Sequence, residues 1–342
     1  MEFILTDKYR REQMVLDALR IDISVHYEDC DADNNTFSVQ IEPESYDASW
    51  MNSGCVIFSP NEEFGGEVGV IGSNTEENVV ILEGDTWRGK LRKKVISPPN
   101  GEAYKVVSGD VNAIIKELVD PCYSGVMQGT SLPADVSVTN YQFDRYCTLL
   151  DGINKMLRSV NRKLHIRYVQ GEQGMNGYCE VSSSPIVDFT ETLEISQDTD
   201  MNTLKFVTSN KMNGINHLIC LGTGELTERM VVHLYADQNG NISQRRTFTG
   251  NEDRTEVYDY PSVQDRQELI DGGIKRLQEV MNSQSFGFDA DDLDLSVDIS
   301  DIIGGKDYIT GFQASKPVVK KIYRMDMDGV ETVQYELEGE YS

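Results

Sequence analysis

The 342-residue sequence has no long hydrophobic run. Apolar runs such as Val79–Leu82 and Leu218–Leu221 are far shorter than the roughly 18 to 20 residues that a membrane-spanning helix requires. Residues 1–8 lack both a basic leader and an apolar segment that ends in small residues, so they do not resemble a secretory signal. These absences predict a protein that does not cross a membrane and that is made and assembled in a cytoplasm.

Paired cysteines and catalytic motifs are also missing. The six cysteines include no CxxC pair, which favours reduced thiols, and we expect Cys55 and Cys220 to lie in strand cores. The four histidines form no HExxH motif, and no GxxxxGK[ST] phosphate loop occurs. We therefore expect no metal, no cofactor and no catalytic residue.

Positive charge is scarce. The sequence has 31 Lys and Arg against 57 Asp and Glu, a formal net charge of −26. So acidic a surface repels phosphate, which argues against specific recognition of nucleic acid. The charge indicates either simple solubility or a surface that DNA or an acidic polypeptide passes without sticking.

One basic cluster interrupts this background, with five cations in the seven residues from Arg88 to Lys94. The cluster fits an exposed strand or turn whose charges prevent edge pairing. It fits equally well a docking surface for the acidic face of a neighbouring subunit. The residues of this candidate partner interface are Trp87, Arg88, Lys90, Arg92, Lys93 and Lys94.

Hydrophobic patterning predicts an α+β chain that is mainly β. Residues 1–98 form a first β domain, with short alternating segments separated by turns at the spacing of a sandwich or small barrel. Its predicted strands are 1–5, 21–27, 36–41, 55–59, 67–72 and 78–83. Pro98–Pro99 ends the pattern, because paired prolines cannot continue a ladder.

Residues 99–187 read as a small α/β module, and residues 188–342 as a second β domain with one covering helix. The module has predicted helices at 108–119 and 146–160, the first stopped by Asp120–Pro121, and predicted strands at 164–169 and 178–181. The last domain has predicted strands at 204–208, 293–299, 317–325 and 330–337, a strand meander at 216–248 and a helix near 262–281.

Possible sites in the last domain have plainer explanations. The lone Gly222–Gly224 fragment favours a strand reversal over a phosphate loop. His217 and His233 could approach each other across the hairpin, although ordinary sheet residues are the commoner case. The acidic stretch Asp289–Asp294 lacks the glycine and the final glutamate of an EF-hand loop, which favours a solvated loop.

Four segments resemble the tail-associated hub proteins of siphophages and of prophages of Gram-positive bacteria. These segments are Gly65–Val68, Glu83–Pro99, Asn216–Leu226 and Ile299–Gly305. The resemblance implies two tail-tube-like β-barrel or sandwich domains flanking an α/β module, with three copies in a ring. Such a trimer offers six equivalent surfaces to a sixfold tail tube and stays threefold below.

The resemblance therefore implies a structural virion protein that is not an enzyme: a trimeric tail or baseplate hub that lines the DNA exit channel. Its expected partners are two further copies, a tail tube or distal tail protein above, a tip or spike protein below, and transiently the tape measure protein or DNA. Its expected location is the tail tip or baseplate of the virion.

Two alternatives remain open. One is a peptidoglycan hydrolase that uses an acidic pair, although the chain stops at Ser342 without the lytic extension that some relatives carry. The other is a carbohydrate-binding module of the tail tip. Cleavage of purified peptidoglycan would identify the first, and solution mass with glycan binding would identify the second.

Overall fold

The computed structural model describes residues 1–28, 34–171, 176–190, 194–196, 204–211, 213–290, 297–306 and 313–338. The chain is mainly β, as the patterning predicts. It forms two compact units, one of Met1–Phe206 with Phe288–Glu338 and the other of Val207–Gly287. Within the described ranges, no helix is both long enough and apolar enough to span a membrane.

The strands are β1 (Ile4–Thr6), β2 (Glu12–Val15), β3 (Ala18–His26), β4 (Thr36–Ile41), β5 (Val56–Phe58), β6 (Gly65–Asn74), β7 (Val79–Thr86), β8 (Val106–Asp110), β9 (Met127–Gly129), β10 (Ser137–Gln142), β11 (Arg162–Val169), β12 (Tyr178–Pro185), β13 (Glu194–Ser196), β14 (Leu204–Lys211), β15 (His217–Leu221), β16 (Val231–Ala236), β17 (Ile242–Ser243), β18 (Thr255–Asp259), β19 (Ser283–Ala290), β20 (Ile302–Lys306), β21 (Gln313–Met325) and β22 (Glu331–Leu337). The helices are α1 (Trp87–Arg92), α2 (Val111–Tyr123), α3 (Leu149–Arg158) and α4 (Arg266–Val280).

A curled half-barrel sheet dominates the first unit, with strand order β22-β21-β3-β4-β7-β6-β5-β1-β2. Alternation along β3 and β4 explains its two faces, because successive side chains of a strand point to opposite sides. Ile23, Val25 and Val39 are buried on one face, while Asp22 and Ser38 lie on the other, directly opposite each other in the register.

The last strands of the chain complete this N-terminal sheet. β21 pairs antiparallel with β3, and Tyr323 lies opposite Ile23. The Tyr323 ring is buried, with its centre 5.2 Å from that of Phe3 and 5.6 Å from that of Phe64. Residues 188–342 therefore contribute to both units, because strand pairing joins segments that are distant in the sequence.

The predicted α/β elements of the first unit are present, with one correction. Asp110 caps the N-terminus of α2, because its carboxylate accepts hydrogen bonds from the backbone N–H groups of Asn112 and Ala113. The prediction that Asp120–Pro121 stops this helix is wrong, since α2 continues to Tyr123 and ends where Ser124 takes φ +48°. α2, α3, β9, β11 and β12 share one apolar core.

The second unit contains the predicted meander and its covering helix. β15, β16 and β17 are consecutive antiparallel strands, and β18 adds parallel to β15. Leu218, Cys220 and Leu234 pack with Leu269 and Leu277 of α4 in one core. The third strand of the meander is shorter than predicted, and of the predicted strand 293–299 residues 293–296 lie outside the described residues, while no strand is present at 297–299.

Candidate partner interface

The predicted basic cluster folds into helix α1 and the residues that follow it, not into a strand or turn. Thr86 caps the helix, because its hydroxyl oxygen accepts the N–H of Gly89 at 3.4 Å. Gly89 lets the helix approach the chain beside it, since a Cβ at this position would lie 2.3 Å from the carbonyl oxygen of Asn35. The helix therefore packs closely on its own unit.

Trp87 and Arg88 point into the protein. The Trp87 ring is buried and stacks on Tyr168 with 5.6 Å between ring centres. The Arg88 guanidinium forms a buried ion pair with Glu63 and donates to the carbonyl oxygen of Leu164 at 3.2 Å. These two candidate residues belong to the internal packing of the chain.

Burial raises the pKa of the Glu63 carboxyl, while the positive charge of Arg88 opposes that rise. The pair is therefore mutually dependent. Each charge is kept in the interior by the other, and removal of one partner leaves an uncompensated buried charge.

Acidic neighbours bind other cations of the cluster. Lys90 Nζ lies 2.6 Å from a carboxylate oxygen of Glu67, and Lys93 Nζ lies 2.5 Å from one of Asp85. Arg92 is half-buried and donates to the carbonyl oxygen of Asn34 at 3.5 Å. Much of the positive charge that the sequence displays is thus balanced locally.

Lys93 and Lys94 are the exposed end of the cluster. Lys94 Nζ lies 5.9 Å from the centre of the Tyr123 ring, within the range of a cation–π contact. Of the six candidate residues, these two are the most exposed, although Lys93 is also paired with Asp85. That the cluster contacts a partner remains a prediction, and the prediction now concerns only Lys93 and Lys94.

Lys93 also borders an open groove of about 680 Å³ on the polar face of the half-barrel sheet. Its lining includes Arg20, Asp22, Ser24, Ser38, Glu83 and Lys93. The Ser24 hydroxyl is buried without a hydrogen-bond partner among the described residues. The groove therefore offers both signs of charge to a polar chain.

A buried ionic network, which the sequence does not reveal, joins distant segments of the first unit. Asp301 is buried, and its carboxylate accepts from Lys163 Nζ at 2.6 Å and from the backbone N–H of Val187 at 2.8 Å. Asp298 is half-buried. Desolvation would raise its pKa, but the His165 imidazole, whose Nδ1 lies 3.8 Å from the carboxylate, and the nearby Lys321 and Lys163 charges hold that pKa well below its usual range. Only the fold brings these residues together, so no local spacing could have identified them.

The two predicted sheet histidines do meet. His217 Nε2 lies 2.9 Å from His233 Nδ1, across β15 and β16. Burial lowers the pKa of His217, although the Asp253 carboxylate beside it acts in the opposite direction. Among the described residues, no three His, Cys, Asp or Glu side chains converge as a complete metal site would require.

The structure also shows the conformation of Gly224 and the surroundings of Cys55 and Cys220. Gly224 adopts φ +106° in the loop between β15 and β16, which confirms the reversal. Cys220 is a buried free thiol within β15, as expected, whereas Cys55 is a buried free thiol that directly precedes β5 and lies outside the strand. Of the stretch 289–294, residues 291–294 lie outside the described residues.

No protein-family model matches the chain, and no curated protein matches its sequence. Among solved structures, the 43 kDa tail protein of prophage MuSo2 from Shewanella oneidensis superposes with a TM-score of 0.54 at 10% identity, covering 98% of both chains. The tail protein from Neisseria meningitidis MC58 superposes with a TM-score of 0.51 at 13% identity, covering 99% of this chain and 97% of that one. These matches confirm the resemblance at the level of the fold: over nearly its whole length, the chain has the fold of these two tail proteins.

Proposed function

We propose that the chain is a structural virion protein of a phage tail or a phage-tail-like particle, located at the tail tip or baseplate. The observation that carries this proposal is the fold shared with a prophage tail protein over 98% of both chains. Such coverage extends over nearly all of both chains and is not confined to one widespread domain. Because both matched proteins are named as tail proteins, the likeness favours a structural role over hydrolysis.

In the finer proposal, three copies form a hub between the sixfold tail tube and the threefold tip. Each copy contributes two tube-type β domains, one built on residues 1–98 and completed by strand β21, the other from the rest of 188–342, so that three copies present six similar surfaces to the tube. The α/β module at 99–187 separates them. The tail tube or distal tail protein binds above, and the tip or spike protein binds below.

The charge of the chain supports a role at the exit channel. A formal charge of −26 makes a wall of this protein repel the phosphates of passing DNA. An acidic lumen therefore lets DNA, or an acidic tape measure protein, slide without binding. The exposed pair Lys93 and Lys94 then serves contacts between subunits, where opposite charges fix the orientation of the partners.

Deletion of the coding sequence from the particle's genome tests the proposed role. We expect lysates without complete tails in the electron microscope, because a hub initiates or joins the tube. Expression of the wild-type chain from a second copy should restore complete tails. Complete tails in the deletion strain would contradict a hub role, whatever their infectivity.

A further inference from the structure

The pair His217 and His233 has an arrangement that a simple packing contact does not require. Both histidines lie on the face of the β15–β16 sheet opposite to α4, because Leu218 and Leu234, the residues that follow each of them, pack on the helix. His217 is buried beside Tyr235, with 4.4 Å between the ring centres. His233 is exposed. One ring is therefore held in place, and the other is free to adjust.

The neighbours of His217 determine which of its nitrogens carries the proton. Its Nδ1 lies 3.2 Å from the Asp253 carboxylate and 2.9 Å from the Thr255 hydroxyl. The Thr255 hydroxyl donates to Asp253 at 3.1 Å, so both neighbouring oxygens accept from Nδ1–H. Nδ1 is then the protonated nitrogen, and the lone pair of Nε2 points towards His233 Nδ1 at 2.9 Å.

Asp253 is itself fixed. Its other carboxylate oxygen is paired with the Arg246 guanidinium. A carboxylate that accepts from one nitrogen of an imidazole is the usual outer support of a histidine whose other nitrogen binds a metal ion. This support is already complete at His217.

We propose that His217 Nε2 and His233 Nδ1 form a two-imidazole site for a divalent transition-metal ion such as Zn²⁺, with Asp253 as the positioning carboxylate. Zn–N bonds of about 2.0–2.1 Å at tetrahedral angles place two ligand nitrogens about 3.3 Å apart. The observed separation of 2.9 Å needs to widen by only a few tenths of an ångström. The exposed His233 ring can supply this movement and can move its proton to Nε2, which faces water.

The chemistry of the donors selects the class of ion. Neutral imidazole suits Zn²⁺, Ni²⁺ and Cu²⁺, whereas Ca²⁺ and Mg²⁺ prefer oxygen ligands. Because the described residues contain no group of three such donors, this part of the chain supplies two ligands. Water, or a donor from another molecule, completes the coordination on the exposed side of His233.

The test uses the full-length chain and titration calorimetry with ZnCl₂, repeated with Co²⁺ by absorption. The chain has four histidines, which supply matched variants. We expect His217→Ala and His233→Ala to abolish binding, and His26→Ala and His165→Ala to leave the affinity unchanged. All six cysteines stay in every variant, so a loss confined to the first two variants cannot come from thiol ligands.

Asp253→Asn tests the positioning role. It keeps both nitrogen ligands, and we expect it to weaken binding by about 10- to 100-fold. Because His233 is exposed, His233→Ala should fold normally and decides the outcome if His217→Ala does not fold. Absence of Zn²⁺ binding by the wild-type chain, or equal binding by His233→Ala and His26→Ala, would overturn the proposal.

Discussion

Gly89 has no Cβ, and this allows α1 to pack closely against its neighbours. Alanine normally stabilises a helix interior by about 1 kcal/mol relative to glycine. Here the added methyl group would lie 2.3 Å from the backbone oxygen of Asn35, which cannot rotate away. The steric cost of such overpacking, about 1–3 kcal/mol, exceeds that gain.

Gly89→Ala is therefore expected to lower the free energy of unfolding of the first unit, measured by urea denaturation. Gly69→Ala is the matched control, because nothing lies within 4 Å of a Cβ at that position. Equal stability of the two variants would show that α1 is not packed against Asn35 in solution.

Arg88 and Glu63 form the second feature at the residue scale. Arg88→Met leaves Glu63 buried without its partner. We therefore expect the free energy of unfolding to fall by about 3–5 kcal/mol near neutral pH. Arg324→Met is the control, because Arg324 and Asp22 are both substantially exposed and such pairs contribute less than about 1 kcal/mol.

The loss in Arg88→Met should depend on pH. The folded-state pKa of Glu63 is already raised by burial, and removal of Arg88 raises it further. A carboxyl whose folded pKa lies above its unfolded value destabilises the fold once pH exceeds the unfolded pKa, and this penalty disappears as pH falls. The stability difference from the wild type should therefore be smaller at about pH 5 than at about pH 8; a pH-independent difference would contradict the buried ionised pair.

At the scale of elements, the sheet of the first unit depends on strands from both ends of the chain. Without β21, one edge of β3 is unpaired, and the cover that Tyr323 gives to Phe3 and Phe64 is lost. A fragment of residues 1–98 should therefore be unfolded by circular dichroism and by amide exchange. Cooperative unfolding of this fragment would contradict the account and would support an independent first β domain.

Local patterning predicts those elements whose signal lies within them. The alternation in 36–41 matches β4 in its bounds, and the apolar stripe in 262–281 predicts α4. The short edge strand β2 and the parallel strand β9 have no such signal, because their pairing partners determine them. The sequence pattern does not predict α1, because the charges of this segment suggest a solvated surface. In the structure, Trp87 and Arg88 are buried by contacts with Tyr168 and Glu63.

The candidate site was predictable to a similar extent. The charges of the cluster are evident in the sequence, but their neutralisation by Glu63, Glu67 and Asp85 depends on the packing of α1 beside β6 and β7. The contact of His217 with His233 was within reach, because a hairpin register brings the two strands together. The position of Asp253 beside His217 could not be predicted from the sequence, because Asp253 precedes a strand that returns parallel to β15.

At the scale of the whole molecule, an acidic chain needs specific contacts to bind copies of itself. Lys93→Glu with Lys94→Glu removes the exposed positive end of the α1 cluster and adds repulsion, so we expect particle assembly to fail. Lys8→Glu with Lys275→Glu is the control, because it makes the same change in net charge at two other exposed positions. Electron microscopy of complemented deletion strains measures the outcome, and complete tails with the first variant would remove the contact from the account.

The position and symmetry of the chain in an intact particle decide whether it acts as a trimeric hub. Cryo-electron microscopy of whole tails, reconstructed without imposed symmetry at the tip, gives both. For a hub, we expect a ring of three copies directly below the sixfold tail tube, with the acidic surface facing the channel. A particle in which the chain is absent from the tail, or forms no threefold ring at the tube's end, would contradict the hub role.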